Sequence, residues 1–153
     1  MSTKTSISGE VTALQTRVIR HDDDYGLSTL FFGDGELRVP RVQAPVGAGV
    51  IVAIDARDVS IALSRPMDVS ITNRLPGTIR EVAFLERPFV RVVIELGATR
   101  LAALVTTESV DRLSLEPGVR VWAMIKTVAI GKAPVEPAEL PQPRRWPAAD
   151  SSD

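Results

Sequence analysis

The feature that most constrains the fold of this chain is an internal repeat. The segment Gly49–Ile61 matches Gly118–Ile130 position for position, at an offset of 69 residues (49 to 118). A shorter match lies upstream, where Gly9-Glu10-Val11 aligns with Gly77-Thr78-Ile79 at an offset of 68 (9 to 77). Two matches at nearly the same spacing indicate a duplicated unit. The sequence therefore predicts two related modules in tandem, over residues 1–65 and 66–132.

In the first half, apolar residues follow the two-residue period of β-strands. One strand opens at Val11, and two more, Leu27–Phe32 and Glu36–Val39, flank the turn Gly33-Asp34-Gly35, which is a strong hairpin signal. A long strand is predicted from Val50 to about Ala62.

The second half repeats this order. The pattern predicts strands at Thr78–Phe84, Val90–Leu96 and Arg100–Val105, and a short helix at Thr106–Leu113 with a hydroxyl N-cap. The turn Glu116-Pro117-Gly118 leads into the last strand. This order predicts an all-β fold of tandem OB-like small β-barrels. Residues 133–153, which are rich in proline, predict a disordered tail.

Composition bounds the class of protein. The chain has 153 residues, 44% of them hydrophobic, a net charge of −1 and no cysteine. No apolar run approaches the roughly 18 residues of a membrane span, and residues 1–8 lack the apolar core of a signal peptide, which favours the cytoplasm and no direct membrane insertion. Modules of this size have marginal cores, which favours a homodimer.

Charge and aromatic content argue against a nucleic-acid partner. Residues 66–132 carry 9 basic and 7 acidic groups, and only 5% of the chain is aromatic. Nucleic-acid binding needs a basic stripe and stacking aromatics. The small cationic excess is compatible with a local anion site.

Two polar segments carry the chemistry. Ser70-Ile71-Thr72-Asn73-Arg74 precedes one apolar segment of the second half, and Lys126-Thr127 follows another. Backbone N–H groups, hydroxyls and an ammonium group together can surround a small oxyanion. Each hydroxyl could equally satisfy a turn, and Lys126 could be a solvated side chain.

No segment of the sequence indicates catalysis. His21 is the sole histidine, so the common general bases and nucleophile pairs are missing. The His21-Asp22-Asp23-Asp24 segment offers metal-ligand atoms, but the pattern favours a solvated loop, and no metal site is predicted. The sole Gly-Lys pair, Gly131-Lys132, is followed by Ala133 and lacks the upstream glycine of a P-loop. We therefore expect no enzymatic activity and no cofactor in this chain.

Several segments of the sequence resemble a known protein family. The pieces that resemble the molybdate-binding modules called Mop or TOBE domains are Ser70–Ile79, Val105–Ser109, Pro117-Gly118 and Ile125–Val128. A larger match, up to about Lys132, is similar to the C-terminal regulatory region of the ATPase subunit of molybdate ABC importers. It includes His21, Tyr25-Gly26-Leu27, Leu37–Pro40 and Ala56–Leu63.

The resemblance implies a function. It implies a cytoplasmic regulatory domain that binds molybdate or tungstate between the second modules of two subunits and controls import. The implied partners are an ABC ATPase domain and, through it, a permease of the cell membrane, to which the domain is peripheral. The parent protein would be a molybdate-transporting ATPase. The implied anion-binding residues are Ser70, Thr72, Asn73, Arg74, Thr106, Lys126 and Thr127.

The chain also departs from the family pattern. The motif usually reads Ser-Ala-Arg-Asn or Ser-Ile-Arg-Asn, and Thr72 stands at the arginine position. The loss of a guanidinium removes a charge-assisted donor. In the first half, the equivalents are Ser2 and Arg57-Asp58, whose carboxylate opposes an anion, so binding is predicted for the second half. The alternative is a structural dimerisation module of the importer ATPase without anion binding.

Overall fold

The computed structural model describes residues 5–8, 11–127 and 131–134, which form two antiparallel sheets and one short helix. The first sheet contains β1 (Thr5–Ser8), β2 (Val11–Asp22), β3 (Leu27–Phe31), β4 (Glu36–Pro40), β5 (Gly49–Asp55) and β11 (Gly131–Pro134). The second contains β6 (Val59–Ala62), β7 (Asn73–Phe84), β8 (Phe89–Leu96), β9 (Thr99–Thr106) and β10 (Arg120–Ile125). Helix α1 (Thr107–Leu113) follows β9 with Thr106 as its N-cap. The predicted all-β class with a short helix is confirmed.

The two sheets exchange a strand. The first sheet has the order β11-β5-β2-β3-β4, with β1 paired to β2, and the second has the order β6-β10-β7-β8-β9. Strand β6, which ends the first half, therefore pairs with β10 of the second half, and β11 pairs with β5 of the first. Ala133 and Pro134, predicted to begin the tail, belong to β11. The rest of the predicted tail, residues 135–153, lies outside the described residues.

The prediction of one long strand from Val50 to Ala62 is wrong. A 3-10 turn, Ala56–Asp58, separates β5 from β6, and the Asp55 carboxylate caps it by accepting the Arg57 backbone N–H at 2.9 Å. An aspartate that bonds to the backbone two residues on favours a turn over a continuing ladder. The turn carries β6 out of the first sheet and onto the second.

Hydrogen bonds at the turn before β5 and β10 fix how the halves correspond. Val18 accepts from Gly47 and donates to Ala48, and Ile79 does the same with Gly118 and Val119. Both glycines have positive φ, +94° and +97°, which glycine adopts readily. The duplication is confirmed, but Gly118 corresponds to Gly47 rather than to Gly49, an offset of 71 (47 to 118).

One continuous core joins the halves. A single cluster of buried side chains includes Val52 and Ile54 from the first sheet and Ile94 and Ile125 from the second. Burial of these apolar surfaces is the main stabilising force for the fold. Among the described residues, no helix is long and apolar enough to span a membrane.

Candidate anion-binding site

The two polar segments of the second half lie side by side. Strand β7 begins at Asn73 and pairs in antiparallel register with β10, which ends at Ile125, so that Asn73 and Ile125 are direct partners. Ser70–Thr72 therefore enters the sheet beside the point where Lys126 and Thr127 leave it. We call this set, Ser70–Asn73 with Lys126 and Thr127, the β7/β10 corner.

Asn73 is the buried member of the corner. Only 3% of the Asn73 surface is exposed. Its Oδ1 atom accepts the backbone N–H of Arg38 at 2.8 Å, and its Nδ2 atom donates to the Arg38 carbonyl at 2.9 Å. The same Nδ2 atom lies 3.5 Å from Oγ1 of Thr127. Asn73 thus joins the corner to strand β4 of the first sheet.

The remaining donors of the corner face solvent. Ser70, Thr72 and Lys126 are exposed, and Thr127 is half-buried. No carboxylate of the described residues lies within ion-pair distance of the Lys126 ammonium. The corner therefore offers a cation and hydroxyl groups that are open to a ligand on one side.

Two predicted site residues lie elsewhere. Arg74 follows Asn73 along β7, so their side chains point to opposite faces of the sheet, and its Nη1 atom donates to the Pro66 carbonyl at 2.9 Å. Thr106 caps α1, where its Oγ1 atom accepts the Ser109 N–H at 3.1 Å. Neither side chain converges on the corner within one chain.

Thr106 instead lines a cavity of about 430 Å³ between β6, β9 and α1. Two further hydroxyl residues of this cavity, Ser60 and Ser109, were not identified from the sequence. The Thr106-x-x-Ser109 spacing was an available signal, because it places two hydroxyls on one helical turn. None of the other six predicted site residues lines this cavity.

The corresponding corner of the first half has the opposite charge. With the offset of 71, Asp55 and Ala56 occupy the positions of Lys126 and Thr127, and we call them, with Val11 and Thr12, the β2/β5 corner. Hydrogen bonds from the side chain and then the backbone of Arg57 lower the pKa of Asp55 to about 2. A carboxylate that is ionised at neutral pH disfavours an anion there.

Side chains of the His21–Asp24 segment form hydrogen bonds within the first half. The Nε2 atom of His21 lies 2.7 Å from the Ala44 carbonyl, and Nδ1 lies 2.8 Å from Oγ of Ser28. A hydrogen bond and the charge of Arg41 hold the pKa of Asp23 below its usual value. Among the described residues, no group of three or more histidine, aspartate or glutamate side chains is arranged to hold a metal ion.

Comparison with known proteins identifies the second half. Residues 69–130 match the family model of the TOBE domain. The second half of this chain is thus similar to TOBE domains over most of its length. The matched range encloses Ser70–Asn73, Thr106, Lys126 and Thr127, so the predicted resemblance is confirmed.

Relatives extend the similarity beyond the TOBE domain. The chain is 42% identical over 120 residues to the molybdenum import ATP-binding protein ModC of Mesorhizobium japonicum, covering 78% of this chain and 32% of that protein. It is 43% identical over 118 residues to ModC 1 of Azotobacter vinelandii, covering 76% of this chain and 33% of that protein. The chain thus spans about a third of the length of these relatives.

A solved structure shares the fold. The chain superposes on the cytoplasmic molybdate-binding protein ModG, crystallised with molybdate bound, with a TM-score of 0.72. The match covers 80% of this chain and 95% of ModG at 21% sequence identity. The predicted OB-like architecture of the two halves is confirmed by this match.

Proposed function

We propose that this chain is a non-enzymatic regulatory domain of a molybdate ABC importer ATPase, and that it binds molybdate or tungstate at the β7/β10 corner. The observation that carries the proposal is the pairing of Asn73 with Ile125, which brings the two halves of the anion motif to one place. Relatives named as molybdenum import ATP-binding proteins and a neighbour crystallised with molybdate support the choice of anion.

The chemistry of the corner suits a tetrahedral dianion. The Lys126 ammonium offsets part of the charge, and the hydroxyls of Ser70, Thr72 and Thr127 donate hydrogen bonds, together with backbone N–H groups near Asn73. Hydrogen bonds to a charged partner are the strong class. Because the donors stand on strand ends, they are spaced for an anion of one size, and we expect tungstate to bind like molybdate and sulfate or phosphate to bind more weakly.

The open side of the corner supports a homodimer. Ser70, Thr72 and Lys126 are exposed, so one chain supplies donors from one side, and a second copy would complete the shell. The linker just before Ser70 exposes apolar side chains, with Met67 68% and Val69 44% exposed, which a second copy would cover. In such a dimer Thr106 and Ser109 of the second copy are further candidate donors.

Such a site would act on transport through the dimer. A ligand that binds between two subunits stabilises the arrangement in which its donors converge, and it shifts the equilibrium by its difference in affinity for the two arrangements. If ATPase domains are attached, anion binding would hold them in one arrangement and limit import by the permease when cytoplasmic molybdate is plentiful. The domain would then lie in the cytoplasm, at the membrane only through the transporter.

Three observations favour the alternative, a dimerisation module without anion binding. Thr72 replaces the usual arginine, Arg74 is bonded to Pro66, and the Arg38 guanidinium lies 3.5 Å from the Asp22 carboxylate. The corner therefore relies on Lys126 for its positive charge.

Calorimetric titration of the purified chain separates the two functions. The proposal predicts saturable binding of molybdate and tungstate, with sulfate and phosphate much weaker, and sedimentation of a dimer. Absence of molybdate binding in a dimeric chain would favour the structural alternative. Sulfate that competes equally with molybdate would contradict the proposed site.

A further inference from the structure

The Asn73 carboxamide bonds to the outer edge of strand β4. Both backbone groups of Arg38 point away from β3 and meet Oδ1 and Nδ2 of Asn73 at 2.8 and 2.9 Å. Strand β4 is the last strand of its sheet, and in an antiparallel pair alternate residues leave their N–H and C=O groups facing outward. The Asn73 side chain therefore takes the place of a neighbouring strand at Arg38.

The donor capacity of Asn73 is used within the protein. A carboxamide has two N–H hydrogens. One is donated to the Arg38 carbonyl, and the other faces Oγ1 of Thr127 at 3.5 Å. An oxyanion accepts hydrogen bonds and needs donors, but one Asn73 N–H is bonded to Arg38 and the other is turned toward Thr127 inside the protein. Because the Thr127 oxygen faces a donor, its own hydroxyl hydrogen is available to another acceptor.

The first half contains a simpler version of the same contact. Thr12 pairs with Ile54 as Asn73 pairs with Ile125, and its Oγ1 atom accepts the backbone N–H of Ala102, on the outer strand β9, at 3.2 Å. Thr12 is completely buried. In each corner, one side chain thus bonds to the backbone of the outer strand of the opposite sheet, and we call these bonds the Thr12 clamp and the Asn73 clamp. Only the Asn73 clamp adjoins the anion motif.

We propose that Asn73 is a positioning residue rather than an anion ligand: it fixes Ser70–Thr72 and the Thr127 hydroxyl against Arg38 of the first half. The inference rests on the proposed function, and it makes the first sheet part of the anion site although that half lacks the motif. It changes the role that the sequence resemblance implied for Asn73.

Two proline variants test the clamp without touching the corner. Arg38→Pro removes the N–H that Asn73 accepts, at an outer strand position where proline does not interrupt the β3–β4 ladder. We expect it to weaken molybdate binding about tenfold, the order of one hydrogen bond, whereas Arg38→Ala, which keeps the N–H, should bind more tightly than Arg38→Pro. The matched control Ala102→Pro removes the N–H that Thr12 accepts and should leave the molybdate Kd within about twofold of the parent.

Hydrogen exchange of the parent chain supplies a measurement that does not depend on variant folding. If Asn73 stays clamped, molybdate will slow exchange of the Arg38 amide, because the bound state stabilises the corner. If Asn73 turns to ligate the anion, molybdate will speed that exchange, and the inference is overturned. A parent chain that binds molybdate together with an unchanged Kd in Arg38→Pro would also overturn it while leaving the proposed function intact. A parent that binds no molybdate would overturn the proposed function itself.

Discussion

The β2/β5 and β7/β10 corners share a backbone and differ in chemistry. In both corners, the residue whose side chain bonds to the opposite sheet is paired with the last buried residue of the adjacent strand. Thr12 pairs with Ile54 of β5, and Asn73 pairs with Ile125 of β10. The residue that follows is Asp55 in one corner and Lys126 in the other. A carboxylate held ionised by Arg57 occupies the place where the second corner presents an ammonium.

The comparison separates scaffold from function. Duplication reproduces sheet order, turn hydrogen bonds and the clamp across the sheets, because these depend on backbone pairing and apolar alternation. The proposed anion binding would depend on a few side chains at one strand end, and those side chains differ between the halves. In the proposed site, the first half therefore contributes structure and the second half contributes the ligands.

Removal of the Lys126 ammonium is expected to have the largest effect on the difference between the two corners. Lys126→Ala should weaken molybdate binding by about 1.5–3 kcal/mol, the range for hydrogen bonds that involve a charged group. The matched change at the first corner, Asp55→Ala, and the neighbouring Arg57→Ala should leave the affinity nearly intact. Titration calorimetry measures all three, and an unchanged affinity in Lys126→Ala would refute the assignment of the site to this corner.

A second prediction concerns packing of the long strands. A Cβ atom at Gly77 would lie 2.6 Å from the Glu95 carbonyl oxygen and 2.7 Å from side-chain carbons of Ile94 and Leu96. Gly77→Ala should therefore lower the free energy of unfolding by about 1–3 kcal/mol, as overpacking does.

The first half provides a control for the glycine. By the register of the turn hydrogen bonds, Thr16 corresponds to Gly77, and its Oγ1 atom donates to the Val50 carbonyl at 2.7 Å. Thr16→Ser keeps that bond and should cost about 1 kcal/mol or less for the lost methyl group. Denaturant unfolding compares the two variants, and equal stability of Gly77→Ala and the parent would show that β7 and β8 can separate locally without cost.

A third prediction restores the usual arginine. Thr72 is exposed, so Thr72→Arg has room on the solvent side and should tighten molybdate binding several-fold, about the value of one charge-assisted bond less the side-chain entropy. Val11→Arg makes the matched change at the first corner, where the opposite residue is Asp55. It should leave molybdate affinity unchanged, and equal gains in both variants would indicate general attraction of anions rather than a site.

The smallest expected effect concerns pH. The pKa of Asp55 is lowered from 3.8 to about 2 by the Arg57 side chain first and its backbone N–H second. A carboxyl whose pKa is lower in the folded state stabilises the fold above its unfolded pKa and loses that contribution as pH falls toward its folded pKa. Between about pH 4 and pH 2 the parent should therefore lose more stability than Asp55→Asn, by a small amount because solvent screens an exposed pair. If the free energy of unfolding falls equally with pH in the parent and in Asp55→Asn, this contribution is refuted.

Local patterns predicted much of the fold. Two-residue alternation and the Gly33-Asp34-Gly35 turn predicted β3 and β4, and the hydroxyl at Thr106 predicted the start of α1, because these elements are set by nearby residues. Strand exchange could not be predicted this way. It depends on the turn at Ala56–Asp58 and on pairing between segments far apart in sequence, which alternation does not specify.

Sequence reasoning reached the segments that form the proposed site. The motif segments indicated Ser70, Thr72, Lys126 and Thr127, and the register brings those segments together. The contacts of Arg74 and Asn73 required structure, because the face of β7 that Arg74 occupies and the bonds from Asn73 to Arg38 depend on where β7 begins. The offset was wrong by two residues because alternating apolar positions match equally well after a shift of two.

Crystals grown with tungstate, measured at the tungsten absorption edge, test the central claim most directly, since the anomalous signal locates the anion itself. The account predicts a peak at the β7/β10 corner, within hydrogen-bond distance of the Lys126 ammonium and the Thr127 hydroxyl, and no peak at Asp55 and Ala56. A peak at the β2/β5 corner, or one confined to the cavity beside Ser60 and Ser109, would contradict it.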